Sequence, residues 1–142
     1  MLHYFPCVPS RRTHVATATL LLLTALGCGA QPSPVTGRVK FKDNSDVSVL
    51  AGYEIAFDSD AKSAGAVGHI AADGTFKLTT FSADDGALPG AYHISIAPPL
   101  TPDAPPAKAH IPTKYSDPST SGLTTIIKPG QSTILLELDR LP

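Results

Sequence analysis

The sequence predicts an all-β fold, a seven-stranded Greek-key β-sandwich that follows a cleaved signal peptide, and three observations lead there. Apolar and polar residues alternate with a period of two in segment after segment beyond residue 34, as in strands with one buried and one wet face. The 14 prolines and 11 glycines interrupt the chain so often that no long helical stretch survives past residue 30. One connection, Pro98 to Gly122, is long and rich in proline, which suits a chain that crosses between two layers. With 142 residues, 42% of them hydrophobic and 16% charged, there is room for one modest core.

The first element is an address. Arg11 and Arg12 precede Val15 to Leu26, an apolar run with the length of a signal-peptide core and too short to span a bilayer as a helix. It ends in Ala25, Leu26, Gly27, Cys28 and Gly29, which resembles the lipobox of bacterial lipoproteins, where a small residue precedes a cysteine that receives diacylglycerol. The resemblance implies cleavage after Gly27, with Cys28 as a lipid-modified first residue. Ordinary secretion with cleavage after Ala30 is the alternative, and both remove the apolar run. Cys7 lies in the removed segment, so Cys28 is left without an intramolecular disulfide partner, and a lone exported thiol is better explained by acylation. Arg11 and Arg12 hint at a twin-arginine signal, but His14 stands where that signal prefers Phe, which favours general secretion. A multiply acylated cysteine anchors stably where a single chain binds only marginally. The expected organisation is a signal segment over 1–27, a lipidated cysteine and tether over 28–34, and the sandwich over 35–142.

The strands follow in order. Val35, Gly37, Val39 and Phe41 alternate with Thr36, Arg38 and Lys40, and Asp43 to Asp46 turn the chain. Tyr53, Ile55 and Phe57 form the buried face of a second strand, and Val67 to Ala71 a third. Asp73 and Gly74 signal a hairpin, because a tight turn needs positive φ, so the third strand is expected to pair antiparallel with a fourth at Phe76 and Leu78. Leu88, Pro89, Gly90 and Ala91 suit a type II turn, after which Tyr92, Ile94 and Ile96 point inward and His93 and Ser95 outward. Leu123 to Lys128 and Thr133 to Asp139 close the fold, with Ile134, Leu136 and Leu138 buried.

The order Asp73, Gly74, Phe76, Leu78, then Leu88, Pro89, Gly90, Tyr92, Ile94, Ile96 resembles the carboxypeptidase regulatory-like group of transthyretin-like (prealbumin-like) sandwiches. Val35, Gly37 and Val39 fit the first strand of that group. Ile111, Pro112, Lys114, Tyr115, Asp117, Pro118 and Ser121 to Leu123 look like a stretch common in small bacterial lipoproteins built on the domain. The resemblance covers most of Val35 to Asp139 and implies fold more than function. Relatives of the fold include hydrolases with a C-terminal Tyr-Arg-Gly-Ser motif, but this sequence reads Leu138, Asp139, Arg140, Leu141, Pro142. Related adhesins form Lys-Asn isopeptide bonds that need an Asn in the last strand, whereas the asparagine here is Asn44, in an early loop.

Chemistry-bearing residues are sparse. His69 and His93 occupy outward strand positions without a third ligand, so exposed imidazoles are expected rather than a metal site. Asp43 with Asp46, Asp58 with Asp60, and Asp84 with Asp85 lack the pattern of a dedicated calcium loop and read as turn acids. No nucleophile elbow is present, and neither catalysis nor a cofactor is expected. A formal net charge of -1, with Lys40, Lys42, Lys62, Lys77, Lys108, Lys114 and Lys128 scattered singly among acids, argues against nucleic acid.

Lys114 and Tyr115 are the candidates for a contact surface, because loops on a rigid sandwich commonly carry recognition; the competing expectation is that Tyr115 packs over an open end. The function expected is a non-catalytic envelope lipoprotein, anchored to a membrane, whose sandwich serves as a structural or protein-interaction module. The alternative is a carbohydrate-binding module at the cell surface, for which Tyr4, Tyr53, Tyr92 and Tyr115 are the tyrosines on offer and tryptophan is absent. The expected partners are thus a membrane and an envelope protein or glycan.

Overall fold

Alternation requires each strand to bury one face, and the computed structural model shows two β-sheets packed on each other to do so. It describes residues 30–61, 64–99, 108–130 and 132–142. The apolar run and Cys28 lie outside the described residues. The strands are β1 (Val35–Phe41), β2 (Glu54–Ser59), β3 (Ala66–His69), β4 (Thr75–Lys77), β5 (Gly90–Ala97), β6 (Thr124–Ile127) and β7 (Ser132–Leu138). Single turns of 3-10 helix at Ser48–Leu50 and Thr113–Ser116 are the helical elements among the described residues. One sheet has the order β4-β1-β7 and the other β3-β2-β5-β6.

The buried positions are those that the alternation marks. Val35, Val39 and Phe41 of β1, Ile55 and Phe57 of β2, Tyr92, Ile94 and Ile96 of β5, and Ile134, Leu136 and Leu138 of β7 form one core with Phe76 and Ile127. An aromatic group joins the layers at its centre. The Phe57 ring lies 6.1 Å from Phe76 of the facing sheet and 6.0 Å, edge on, from Tyr92.

Two local expectations need correction. β3 and β4 share the Asp73–Gly74 turn, where Gly74 has φ +80° and the Ala71 N–H donates to the Thr75 carbonyl at 2.8 Å, but they do not form a ladder. Beyond the turn β3 pairs with β2 and β4 with β1, and the two meet again at one isolated bridge, Val67 with Thr79. The reason is packing, since pairing with β1 is what carries Phe76 into the space between the sheets against Phe57. The second correction concerns Pro89 and Gly90. Gly90 has φ 158°, nearly extended and far from the second position of a type II turn, and it opens β5 directly. The Leu88 carbonyl instead accepts the Tyr92 hydroxyl at 2.8 Å.

β7 runs parallel to β1, pairing Val35 with Ser132 through to Phe41 with Leu138. Both strands therefore begin at one end of the molecule, called here the tether end. There the chain entering β1 is held on three sides. Ser33 and Ala87 exchange backbone bonds of 2.8 and 3.1 Å, the Ser33 hydroxyl accepts the Gly130 N–H at 3.1 Å, and the Pro34 carbonyl accepts the Ser132 N–H at 3.1 Å. At the opposite, distal end the Lys42 N–H donates to the Leu138 carbonyl at 3.0 Å.

Candidate functional site at the long connection

The long connection before β6 does not cross between the layers as expected, since it joins β5 to β6, antiparallel neighbours in one sheet; its described part, residues 108–122, folds over the distal end. Pro112, with φ -54° already suited to a turn, starts the 3-10 turn Thr113–Ser116, and its carbonyl accepts the Tyr115 N–H at 3.1 Å. Ile111 and Tyr115 face the core and are buried, Tyr115 to 2% exposure. The Asp117 carboxylate accepts both the N–H (2.7 Å) and hydroxyl (2.5 Å) of Ser119, closing the next turn. A backbone bond of 2.9 Å from Leu141 to the His110 carbonyl ties the loop to the end of the chain.

Three side chains converge on Asp139, just past β7. Lys114 Nζ lies 2.8 Å from Oδ2 and Lys42 Nζ 2.7 Å from Oδ1. The Tyr115 hydroxyl donates to Oδ2 at 2.9 Å and accepts the Asp139 N–H at 3.1 Å. Lys114 also lies 4.8 Å from the centre of the Tyr115 ring. Of the expected contact pair, Lys114 is exposed and ion-paired, whereas Tyr115 is buried and its hydroxyl doubly bonded, so the ring gives no contact area to a partner. Tyr53 and Tyr92 are buried as well, which leaves the carbohydrate alternative without a tyrosine platform among the described residues.

The electrostatics follow from these bonds. Hydrogen bonds from Lys114, then Lys42, then Tyr115 hold the Asp139 carboxyl far below the ordinary range, and the same bonds raise both lysines. A depressed folded-state pKa gives stability that is complete above the unfolded value and is lost as pH falls through the folded one. Asp139→Asn is therefore expected to be less stable than the parent at neutral pH, by a gap that narrows as pH falls below about 4. Urea midpoints measured against pH for both proteins check this, and a gap constant through the acid range would refute it.

The remaining candidates are held apart. His69 faces Glu54 from one side of β2 and His93 faces Asp58 from the other, so the two histidines are two strands apart and offset by four residues, about 13 Å, along the strand. His93 Nε2 contacts Asp60 Oδ1 at 3.1 Å, while His69 lines an open cleft of about 490 Å³ with Val67, Thr75, Lys77 and Asp84. The turn acids are engaged internally: Asp43, Asp46 and Asp73 each bind the N–H and hydroxyl of the Ser or Thr two residues on. These hydroxyl bonds are the main cause of their lowered pKa values. Asp84 pairs with Lys77 at 3.2 Å, and Asp85 accepts the amides of Thr80, Phe81 and Ser82.

Sequence reasoning missed the node at Asp139, whose partners lie 97, 25 and 24 residues away. A local signal did exist for the turns, in the repeated Asp-x-Ser/Thr of residues 43–45, 46–48, 73–75 and 117–119. In comparisons with protein-family models, curated proteins and solved structures, nothing matches this chain.

Proposed function

We propose that this chain is an exported lipoprotein of the cell envelope, anchored through a diacylglyceryl group on Cys28, whose β-sandwich is a non-catalytic structural or protein-interaction module. The observation that carries the reading is the position of the cysteine. It directly follows an apolar run preceded by arginines, and β1 opens at Val35, seven residues later, on a tether whose last residues are bonded into the sandwich. A folded unit tied that closely to a lipid-bearing residue stays at the membrane surface. The internal engagement of Asp139, Asp85 and the turn acids supports a scaffold role, since each binds the chain's own amides, hydroxyls or ammonium groups.

Within the same proposal the sandwich has seven strands in Greek-key, transthyretin-like order. Support comes from β5 returning to β2 after β3 and β4 have parted to different sheets, and from the bond of Tyr92 to the carbonyl four residues upstream, a corner found in Greek-key sandwiches.

Expression of the full chain in a bacterial host tests the anchor. The parent is expected in the membrane fraction with acyl mass on the Cys28 peptide, and Cys28→Ser is expected in the soluble fraction. Retention of the serine variant in membranes would overturn the reading, as substrate turnover by purified protein would overturn its non-catalytic part.

A further inference from the structure

We propose, resting on the lipid-anchor reading, that the tether end of the sandwich lies on the bilayer surface that Cys28 enters and inserts Phe81 at the headgroup boundary. The covalent chain sets the first constraint. Five residues from Cys28 to Ser33 reach at most about 17 Å, and Ser33 is fixed to the sandwich by its bonds to Ala87 and Gly130. The end of the molecule that faces the lipid is thereby fixed too.

Among the described residues, that end carries the two most exposed of the large apolar side chains, ahead of Leu135 and Val67 on the strands. Phe81 is 67% exposed at the tip of the 79–86 loop, and Ile126, 71% exposed, stands on β6 opposite Ala91 near the start of β5. The loop is wired, not loose. Asp85 accepts three successive amides beneath Phe81, the Gly86 N–H donates to the Leu78 carbonyl at 2.9 Å, and the Thr80 hydroxyl donates to the Gly86 carbonyl at 2.8 Å. A large aromatic group held outward on such a loop is already ordered for insertion, so docking loses little conformational freedom.

Charge is present at both ends. Lys42, Asp43, Asp46, Asp73, Lys114 and Asp139 gather at the distal end, away from the tether. Of the acids near Phe81, Asp84 is paired with Lys77 and Asp85 is bonded to loop amides, while Lys128 is exposed beside Pro129 and suits an anionic headgroup. Asp60, also at this end, contacts His93. An exposed aromatic side chain and a lysine at the same end of the sandwich are a composition found in membrane-interface contacts.

The test uses the full, lipidated chain reconstituted in vesicles of equal parts phosphatidylethanolamine and phosphatidylglycerol. The sequence contains no tryptophan, so Phe81→Trp installs a single reporter, and Ala72→Trp, on the exposed distal hairpin, is its control. The F81W chain is expected to show blue-shifted emission and loss of most of its intensity when the lipids carry brominated acyl chains, with neither change in A72W. Water-like, unquenched emission from an F81W chain that still floats with the vesicles and carries acylated Cys28 overturns the docking proposal and leaves the anchor standing. A blue shift without bromine quenching places another protein surface over residue 81 and overturns it as well. Absence of acyl mass on Cys28 removes the anchor reading, and the proposal with it.

Discussion

Replacing Gly86 by alanine is expected to destabilise the domain by about 3 kcal/mol or more, which lowers Tm by on the order of 10–20 °C. Two effects combine. Gly86 has φ +94°, a region that costs a side chain roughly 1–2 kcal/mol. A Cβ there would also stand 1.8 Å from the Ser33 carbonyl oxygen and 2.5 Å from its carbon. The obstacle is backbone, so no rotamer change relieves it, and retreat would require opening the Ser33–Ala87 bridge that holds the chain entering β1. Gly122 provides the control, with φ +68° and nothing within 4 Å of the added methyl, so Gly122→Ala feels the backbone strain alone. Thermal unfolding of the two variants separates the contributions. Equal losses would mean that the close approach of residues 33 and 86 has no energetic weight.

That approach also marks where reading the sequence stops. The alternation of Val35, Val39 and Phe41, or of Tyr92, Ile94 and Ile96, shows which face of a strand is buried, and these faces are buried in the structure. It carries no information about the partner. A strand of period two reads the same in either sheet, so the Asp73–Gly74 turn was legible while the parting of its arms was not. The parallel pairing of β1 with β7 likewise has no local signature. At the candidate site, Lys114 and Tyr115 were visible as a loop pair between prolines. What gives them a structural role is Asp139, brought to them by the end of β7, and an ion pair across 25 residues leaves no pattern in a single sequence. Cys28 is the opposite case, since the processing proposed for it would depend on its chain neighbours alone and calls for no fold.

Gly37 shows how a position can fit the inward pattern and still exclude every other inward residue. It occupies the buried face of β1 directly opposite Phe76 of β4, and a Cβ on it would lie 2.0, 2.4 and 2.5 Å from three atoms of the Phe76 ring. The ring covers the glycine, as aromatic side chains do across strand pairs, and is flanked by Phe57 of the other sheet. Gly37→Leu is therefore expected to cost about 3 kcal/mol by overpacking, although leucine satisfies both the alternation and the strand's apolar face. The mechanism predicts a compensating partner. Phe76→Ala alone should cost about 3–5 kcal/mol through the cavity it leaves, and combining it with Gly37→Leu should recover about 1–3 kcal/mol relative to the sum. Denaturant unfolding of the four proteins of this cycle measures the coupling directly. If the two changes simply add, the ring is not what keeps residue 37 a glycine, and the contact between β1 and β4 is looser than these distances require.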